Sequence, residues 1–237
     1  MKFDVKELIE DYLLEGGIQD RIEKFELAWD IRDYFEDIKL SIRESILKKL
    51  VKKLKEKTKN PGDPFYGYKL EDNGFLEREK YGNIAIYRRE WVVNGKPILK
   101  YGIEHGLKDY FNLYFGIQKC SDQIPFVGNW ENIQGLPEEW KEIFSQMKIR
   151  LKEALPGNWK PSDWWVVWKY FDFYYGGMWQ KEFYMEILEK SKDNLEEGYE
   201  ALADYYFSEF EKLKNATENL VDEFVKLYKE AKGGSHV

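Results

Sequence analysis

Between two long helical stripes the chain changes its hydrophobic period, and that change excludes both an all-helical bundle and an all-β fold. Over residues 18–57, Ala28, Ile31, Phe35, Ile38, Ile42, Ile46, Leu50 and Leu54 recur at three- and four-residue steps, the mark of one apolar helix face. Gly16-Gly17 separates this helix from a short one at about 4–14, and Asn60-Pro61-Gly62-Asp63-Pro64 stops it. From Gly82 to Val93 apolar and polar residues then alternate, and Asn94-Gly95 is a strong hairpin signal. The return over 97–104, a third strand at 110–117 and an edge strand at 66–70 complete an antiparallel meander, with loop over 120–135. Helical periodicity resumes at Pro137, followed by Glu138 and Glu139, and runs to about 155. It continues over 178–192 and in a last long helix carrying Leu195, Tyr199, Leu202, Tyr206, Leu213, Leu220, Phe224 and Leu227.

The reading is α+β: a small antiparallel sheet of three to four strands packed with long helices, mostly helical overall. One domain over 1–237 is expected, with a long helix at 18–57, the sheet at 64–118 and a helical part at 136–230. The two long helices are expected to pack antiparallel, although the matched stripes also permit a homodimer.

Within the helical part, residues 162–175 hold the densest aromatic run of the chain. Trp164, Trp165, Trp168, Tyr170 and Phe171 fall within eight residues, too much ring area for an ordinary exposed loop. In one reading Trp164, Trp168 and Phe171 fill the gap between sheet and helices. In the other, Trp165, Tyr170, Tyr174 and Tyr175 line a pocket that stacks on a base or clamps a partner. Trp130, Trp140, Trp159 and Trp179 add to the surplus.

With 34% charged and 43% hydrophobic residues and a net charge of −7, a soluble cytoplasmic protein is expected, and non-specific coating of nucleic acid is disfavoured. Cys120 is the single cysteine, which leaves no disulfide framework and no thiolate metal site within one chain. The first residues lack an apolar signal core, and no run approaches membrane-spanning length. No cofactor and no membrane partner are expected.

The familiar catalytic patterns are missing: there is no Gly-Lys-Ser/Thr phosphate loop, no dinucleotide fingerprint and no Gly-x-Ser-x-Gly elbow. His105 is the one histidine outside the tail, and it reads as structural or exposed rather than as a base. Glu-x-Lys, the second half of the PD-(D/E)XK metal-nuclease pattern, occurs only at Glu139-Trp140-Lys141 and Glu230-Ala231-Lys232, both helical. A cation held by Glu90, Glu104 and Asp109 is the remaining metal alternative, against the blander reading of surface ion-pair partners. No catalytic or metal residue is assigned.

The basic run contains Lys48, Lys49, Lys52, Lys53, Lys55, Lys57 and Lys59 with one acid, Glu56. Its first four lysines are the candidate phosphate contacts. The competing reading is a solvated helix end stabilised by the helix dipole.

In order, Tyr87-Arg88-Arg89-Glu90-Trp91, then 110–117, then Trp164-Trp165 with Trp168-Lys169-Tyr170-Phe171 resemble the C-terminal accessory region of bacterial PD-(D/E)XK nuclease superfamily proteins. The resemblance covers about residues 20–230 and brings no active site with it. It implies a free-standing, non-catalytic recognition or regulatory module for a protein or nucleic-acid partner, in a phage-defence or counter-defence setting. The alternatives are a degenerate Mg²⁺-dependent nuclease using Glu90, Glu104 and Asp109, or a nucleotide-binding protein using Tyr170, Tyr174 and nearby Trp.

Overall fold

A computed structural model describes residues 5–76, 81–106, 112–119, 138–171, 181–191 and 194–234. The chain divides into two compact units, Met1–Ser45 and Ile46–Val237. The division falls inside one helix, where the sequence suggests a single domain. Asp109, Cys120, Trp130, Tyr174, Tyr175 and Trp179 lie outside the described residues.

The first unit holds α1 (Val5–Leu14) and the larger part of α2 (Ile18–Lys57). Gly16, at φ +96°, turns the chain between them, a conformation that glycine adopts without steric cost. Lys24 fastens the return: its Nζ donates to the Glu15 carbonyl at 3.1 Å and lies 4.9 Å from the Tyr12 ring centre. The apolar stripe read from sequence is half exposed here at Ile31, Phe35 and Ile38, but Ile46, Leu50 and Leu54 are fully buried in the second unit.

The second unit is built on a five-stranded antiparallel sheet in the order β1-β2-β5-β6-β7. Its strands are β1 (Lys69–Asn73), β2 (Gly82–Tyr87), β5 (Leu99–His105), β6 (Leu113–Lys119) and β7 (Trp165–Tyr170). Between β2 and β5 a small hairpin of β3 (Val92–Val93) and β4 (Lys96–Pro97) turns on Asn94 and Gly95. Both have positive φ, +52° and +79°, as the sequence pair predicts. The helices are α3 (Glu138–Ala154), α4 (Lys181–Ser191) and α5 (Leu195–Gly234), the last about 60 Å long.

Two expectations about the sheet need correcting. Gly82–Val93 is not one strand: β2 ends at Tyr87, and a 3-10 turn, Arg89–Trp91, swings Trp91 into the core. There its indole Nε1 donates to Asp222 of α5 at 2.7 Å, and its ring meets Tyr68 and Tyr101 edge-on. The aromatic run is not part of the helical block either. It supplies a fifth strand, β7, so the sheet exceeds the three to four strands read from sequence. Its Trp-Val-Val-Trp core has the β-branched and aromatic composition that suits a pleated surface.

The packing of the two long helices is also corrected. Lys49 pairs with Glu196 at 2.8 Å and Glu200 at 3.3 Å, while Lys53, one turn on, pairs with Glu200 at 3.0 Å and with Asp204. Partners advance together along both chains, so the end of α2 and the start of α5 run parallel, not antiparallel. An apolar stripe has the same period in either direction, which is why it does not encode the sense of pairing.

One sheet face is sealed by α5. Tyr101, Ile103, Phe115 and Ile117 point into the core, none more than 1% exposed. Tyr101 meets Phe210 edge-on and shares a 3.0 Å hydrogen bond with the Thr217 hydroxyl. Burial of this kind contributes about 1.5–3 kcal/mol for each large side chain. A charged clamp closes one border: Arg88 contacts both Glu218 and Asp222, Tyr68 donates to Glu218 at 2.6 Å, and Lys214 pairs with Glu218 at 2.7 Å. Burial alone would raise the Glu218 carboxyl, but bonds from Lys214 and Tyr68 prevail and hold it below the usual range.

Candidate functional site: the open face of the sheet

Among the described residues no helix layer covers the opposite sheet face in this way. Because side chains alternate across a strand, residues one step from the core set form a groove of about 1110 Å³. Two cross-strand rows build it. The first runs Glu71, Ala85, Gly102, Gly116, Trp168, each in register with the next. The second runs Asn73, Asn83, Glu104, Tyr114, Tyr170.

The small residues in the middle of the first row leave room for long neighbours to lie flat. A Cβ on Gly102 would come within 2.5 Å of the Gln118 amide carbon, so Gln118 lies across that glycine. A Cβ on Gly116 would stand 2.0 Å from the Val167 carbonyl oxygen and 3.0 Å from the Trp165 ring. Lys100 reaches over the row to Glu71 at 2.9 Å, and Asn73 donates to the same carboxylate at 2.7 Å. Burial pushes Glu71 up, but these two bonds outweigh it and the net direction is down.

Tyr114 is the hub of the aromatic wall. Its ring meets Trp165, Trp168 and Tyr170 edge-on at 5.6, 5.4 and 6.0 Å, an arrangement favoured by the ring quadrupole. Its hydroxyl donates to Glu104 Oε1, and Gln118 Nε2 approaches Oε2 at a long 3.5 Å. Burial raises the Glu104 carboxyl, and the Tyr114 bond offsets this only in part. Asn83 stands close enough to favour the Glu104 charge, yet neither of its buried amide atoms completes a hydrogen bond of normal geometry. The buried Trp168 Nε1 likewise meets no acceptor among the described residues. At the end of β6 burial pulls the Lys119 ammonium down to about 8, opposed by Asp163.

The sequence candidates are redistributed by this geometry. Trp165 and Tyr170 both line the groove, but Trp165 is only 4% exposed while Trp164, read as core, is 65% exposed. A register shift between β6 and β7 at Ile117/Gln118 moves Trp165 onto the groove side and leaves Trp164 outside the strand. Phe171 is core: it stacks on Phe115 at 4.1 Å and meets Tyr206. Lys49 and Lys53 face the acids of α5, Lys52 is largely exposed with Glu56 at 4.0 Å, and Lys48 lies on the same helix. None of the four lines the groove. Tyr81, Asn83, Tyr114 and Gln118 escaped sequence reading. For the last three the common signal is a polar or aromatic residue beside buried Ile, Phe or Leu on a strand, legible only once register joins the strands; Tyr81 precedes β2 and carries no such signal.

His105 is 1% exposed, with Nε2 2.8 Å from the Phe75 carbonyl and Nδ1 3.1 Å from the Gly106 carbonyl. The ring is buried against these backbone oxygens and is not among the residues that line the groove described above, so it is not presented there as a general base. Glu90 and Glu104 do not converge. Glu104 pairs with Asn83 at the start of β2, whereas Glu90 follows its end; four residues of strand put about 13 Å between those rows. Among the described residues no group of three or more His, Cys, Asp or Glu side chains is gathered to hold a metal ion. No helix among them is long and apolar enough to cross a membrane.

Compared with protein-family models, with curated proteins and with solved structures, the chain matches none.

Proposed function

We propose that this chain is a non-catalytic recognition module whose ligand seat is the open face of the five-stranded sheet. The observation that carries the reading is the asymmetry of that sheet. One face buries Tyr101, Ile103, Phe115 and Ile117 under α5, while the other presents Trp164, Tyr170 and Tyr81, each at least 40% exposed, around a polar floor. Exposed large rings beside half-buried polar groups are how recognition surfaces combine contact area with orientation. On the floor Tyr114 and Gln118 bond to Glu104, and the described groups are not arranged as a nucleophile with its base. A phage-defence or counter-defence role, and kinship with the nuclease accessory region, rest on the resemblance of three segments alone: residues 87–91, residues 110–117 and the aromatic run.

The test is capture of partners from host lysate by the full chain, with and without nuclease treatment. The Trp164→Ala/Tyr170→Ala variant is expected to lose the captured partner, because both rings line the groove and neither is needed to fill the core. Capture that is unchanged in this variant would remove the groove from function. Loss in a Lys49→Gln/Lys53→Gln variant instead would move the site to the α2–α5 border.

A further inference from the structure

The groove's chemistry also constrains what it holds, on the premise that it is the ligand seat. Its lining joins three features. Exposed rings of Trp164 and Tyr170 stand on one side and Tyr81 at another border. On the floor, Glu104, Gln118 and Asn83 set two side-chain amides beside one carboxyl group. The described lining residues also include three lysines, Lys96, Lys100 and Lys119, and two acids, Glu71 and Glu104.

Each feature excludes a ligand class. An apolar peptide would strand the carboxyl and amides of the floor without partners, at a cost for every group left unpaired. A long polyanion needs an excess of cations along its track, but the described lining residues hold three lysines against two acids, and Lys100 is already paired with Glu71. What remains is a planar, largely neutral ring with adjacent donors and acceptors on its edge, attached to few negative charges. Side-chain amides and carboxylates are the groups that read such edges in pairs, and aromatic rings are the platforms on which unstacked bases lie. At about 1110 Å³ the groove also exceeds the range typical of small-ligand pockets. That leaves room for a base with its sugar and phosphate.

We propose that the groove binds a nucleobase-bearing ligand, with the base laid against Trp164 or Tyr170 and its polar edge read by Glu104, Gln118 and Asn83. A free nucleotide and an unpaired base in a single strand offer the same chemistry. Asn83 is the pivot of discrimination, since its amide has hydrogen-bonding capacity not yet committed in full geometry. A modest turn of that amide pairs it with a ligand edge. Glu104, which accepts from the Tyr114 hydroxyl, sets carboxyl oxygens beside these amides on the floor.

The experiment is calorimetric titration of the full chain with the individual nucleoside monophosphates, then with a short unstructured mixed-sequence oligonucleotide, then with neutral oligosaccharides. Saturable binding of a monophosphate would support the proposal and identify a free nucleotide. Binding of the oligonucleotide alone would support it and identify an unpaired base in a strand. In either case Trp164→Ala and Tyr170→Ala, at exposed positions, are expected to weaken binding about 5- to 150-fold, the range of base-on-ring stacking. Trp29→Ala, an equally exposed ring in the first unit, is expected to leave it unchanged. Glu104→Gln is expected to reorder the preference among bases. Binding of oligosaccharides only, of no base-bearing probe, or equal binding by the groove variants and wild type would overturn the proposal. If lysate capture still depends on Trp164 and Tyr170 while no base-bearing probe binds, the ligand class falls and the recognition seat stands. If capture is also independent of them, both fall.

Discussion

The Tyr114 hydroxyl donates to the Glu104 carboxylate across a directly registered pair of strands, and so ties the aromatic wall of the groove to its acidic floor. Tyr114→Phe keeps the ring contacts with Trp165, Trp168 and Tyr170 but removes this donor. Expected are a stability loss of about 1.5–3 kcal/mol by urea unfolding, the size of a hydrogen bond to a charged group, and a further rise of the Glu104 titration followed by carboxyl NMR.

Glu104 also sets a pH dependence with a defined sign. Its folded-state pKa lies above the unfolded value because burial disfavours the charge. Its contribution to stability is therefore fully present below the ordinary carboxyl pKa and is lost as pH rises through the raised one. Glu104→Gln, a neutral side chain of the same shape, is expected to be at least as stable as wild type at neutral pH. Unfolding midpoints measured across the acidic range should fall with rising pH in wild type relative to the variant. Parallel profiles would refute the assignment.

The two floor glycines are not equivalent. A methyl group at Gly116 meets the Val167 carbonyl, which is backbone and cannot yield. Gly116→Ala is expected to destabilise by about 1–3 kcal/mol, as overpacking does. At Gly102 the obstacle is the side chain of Gln118. Gly102→Ala is expected to cost less and to act by displacing Gln118 from the floor. Thermal unfolding and ligand titration of both variants separate the two effects.

The lysines of α2 divide by role. Lys49 is held above its ordinary pKa chiefly by its bond to Glu196; for Lys53 burial pulls the other way, and Asp204 and Glu200 prevail. Raised lysine values mean that this stabilisation is intact at neutral pH and is lost only when the pH climbs past the ordinary lysine range. Lys49→Gln/Lys53→Gln is expected to lower stability by about 0.5–2 kcal/mol in low salt and less in high salt, in keeping with solvent-exposed ion pairs. Lys52→Gln is expected to change little. Denaturant midpoints at two salt concentrations check both.

Much of this fold is legible in the sequence because local signals decide it. The helix limits of α2 follow from the Gly16-Gly17 break and the Pro61 stop, and the β3–β4 turn follows from Asn94-Gly95. What stayed hidden depends on contacts distant in sequence. The residues 162–175 carry both strand composition and core-like ring density, and only pairing with β6 places Trp165–Tyr170 in the sheet. That pairing, with its shift at Ile117/Gln118, also decides that Trp164 rather than Trp165 is the exposed ring. Glu104 was visible as an acid on a strand. Its partners Tyr114 and Gln118 lie ten and fourteen residues on, and nothing in their local sequence marks them as its neighbours.

The most direct measurement of the central claim uses the indole N–H resonances of the protein, with Trp29, Trp91, Trp164 and Trp168 assigned by substitution. The chain would be titrated first with nucleoside monophosphates and then with material eluted from lysate capture. The account predicts that Trp164 and Trp168 shift and saturate, while buried Trp91 and the exposed ring of Trp29 hold still. Shifts at Trp29 with Trp164 and Trp168 unmoved would contradict it and place recognition outside the sheet.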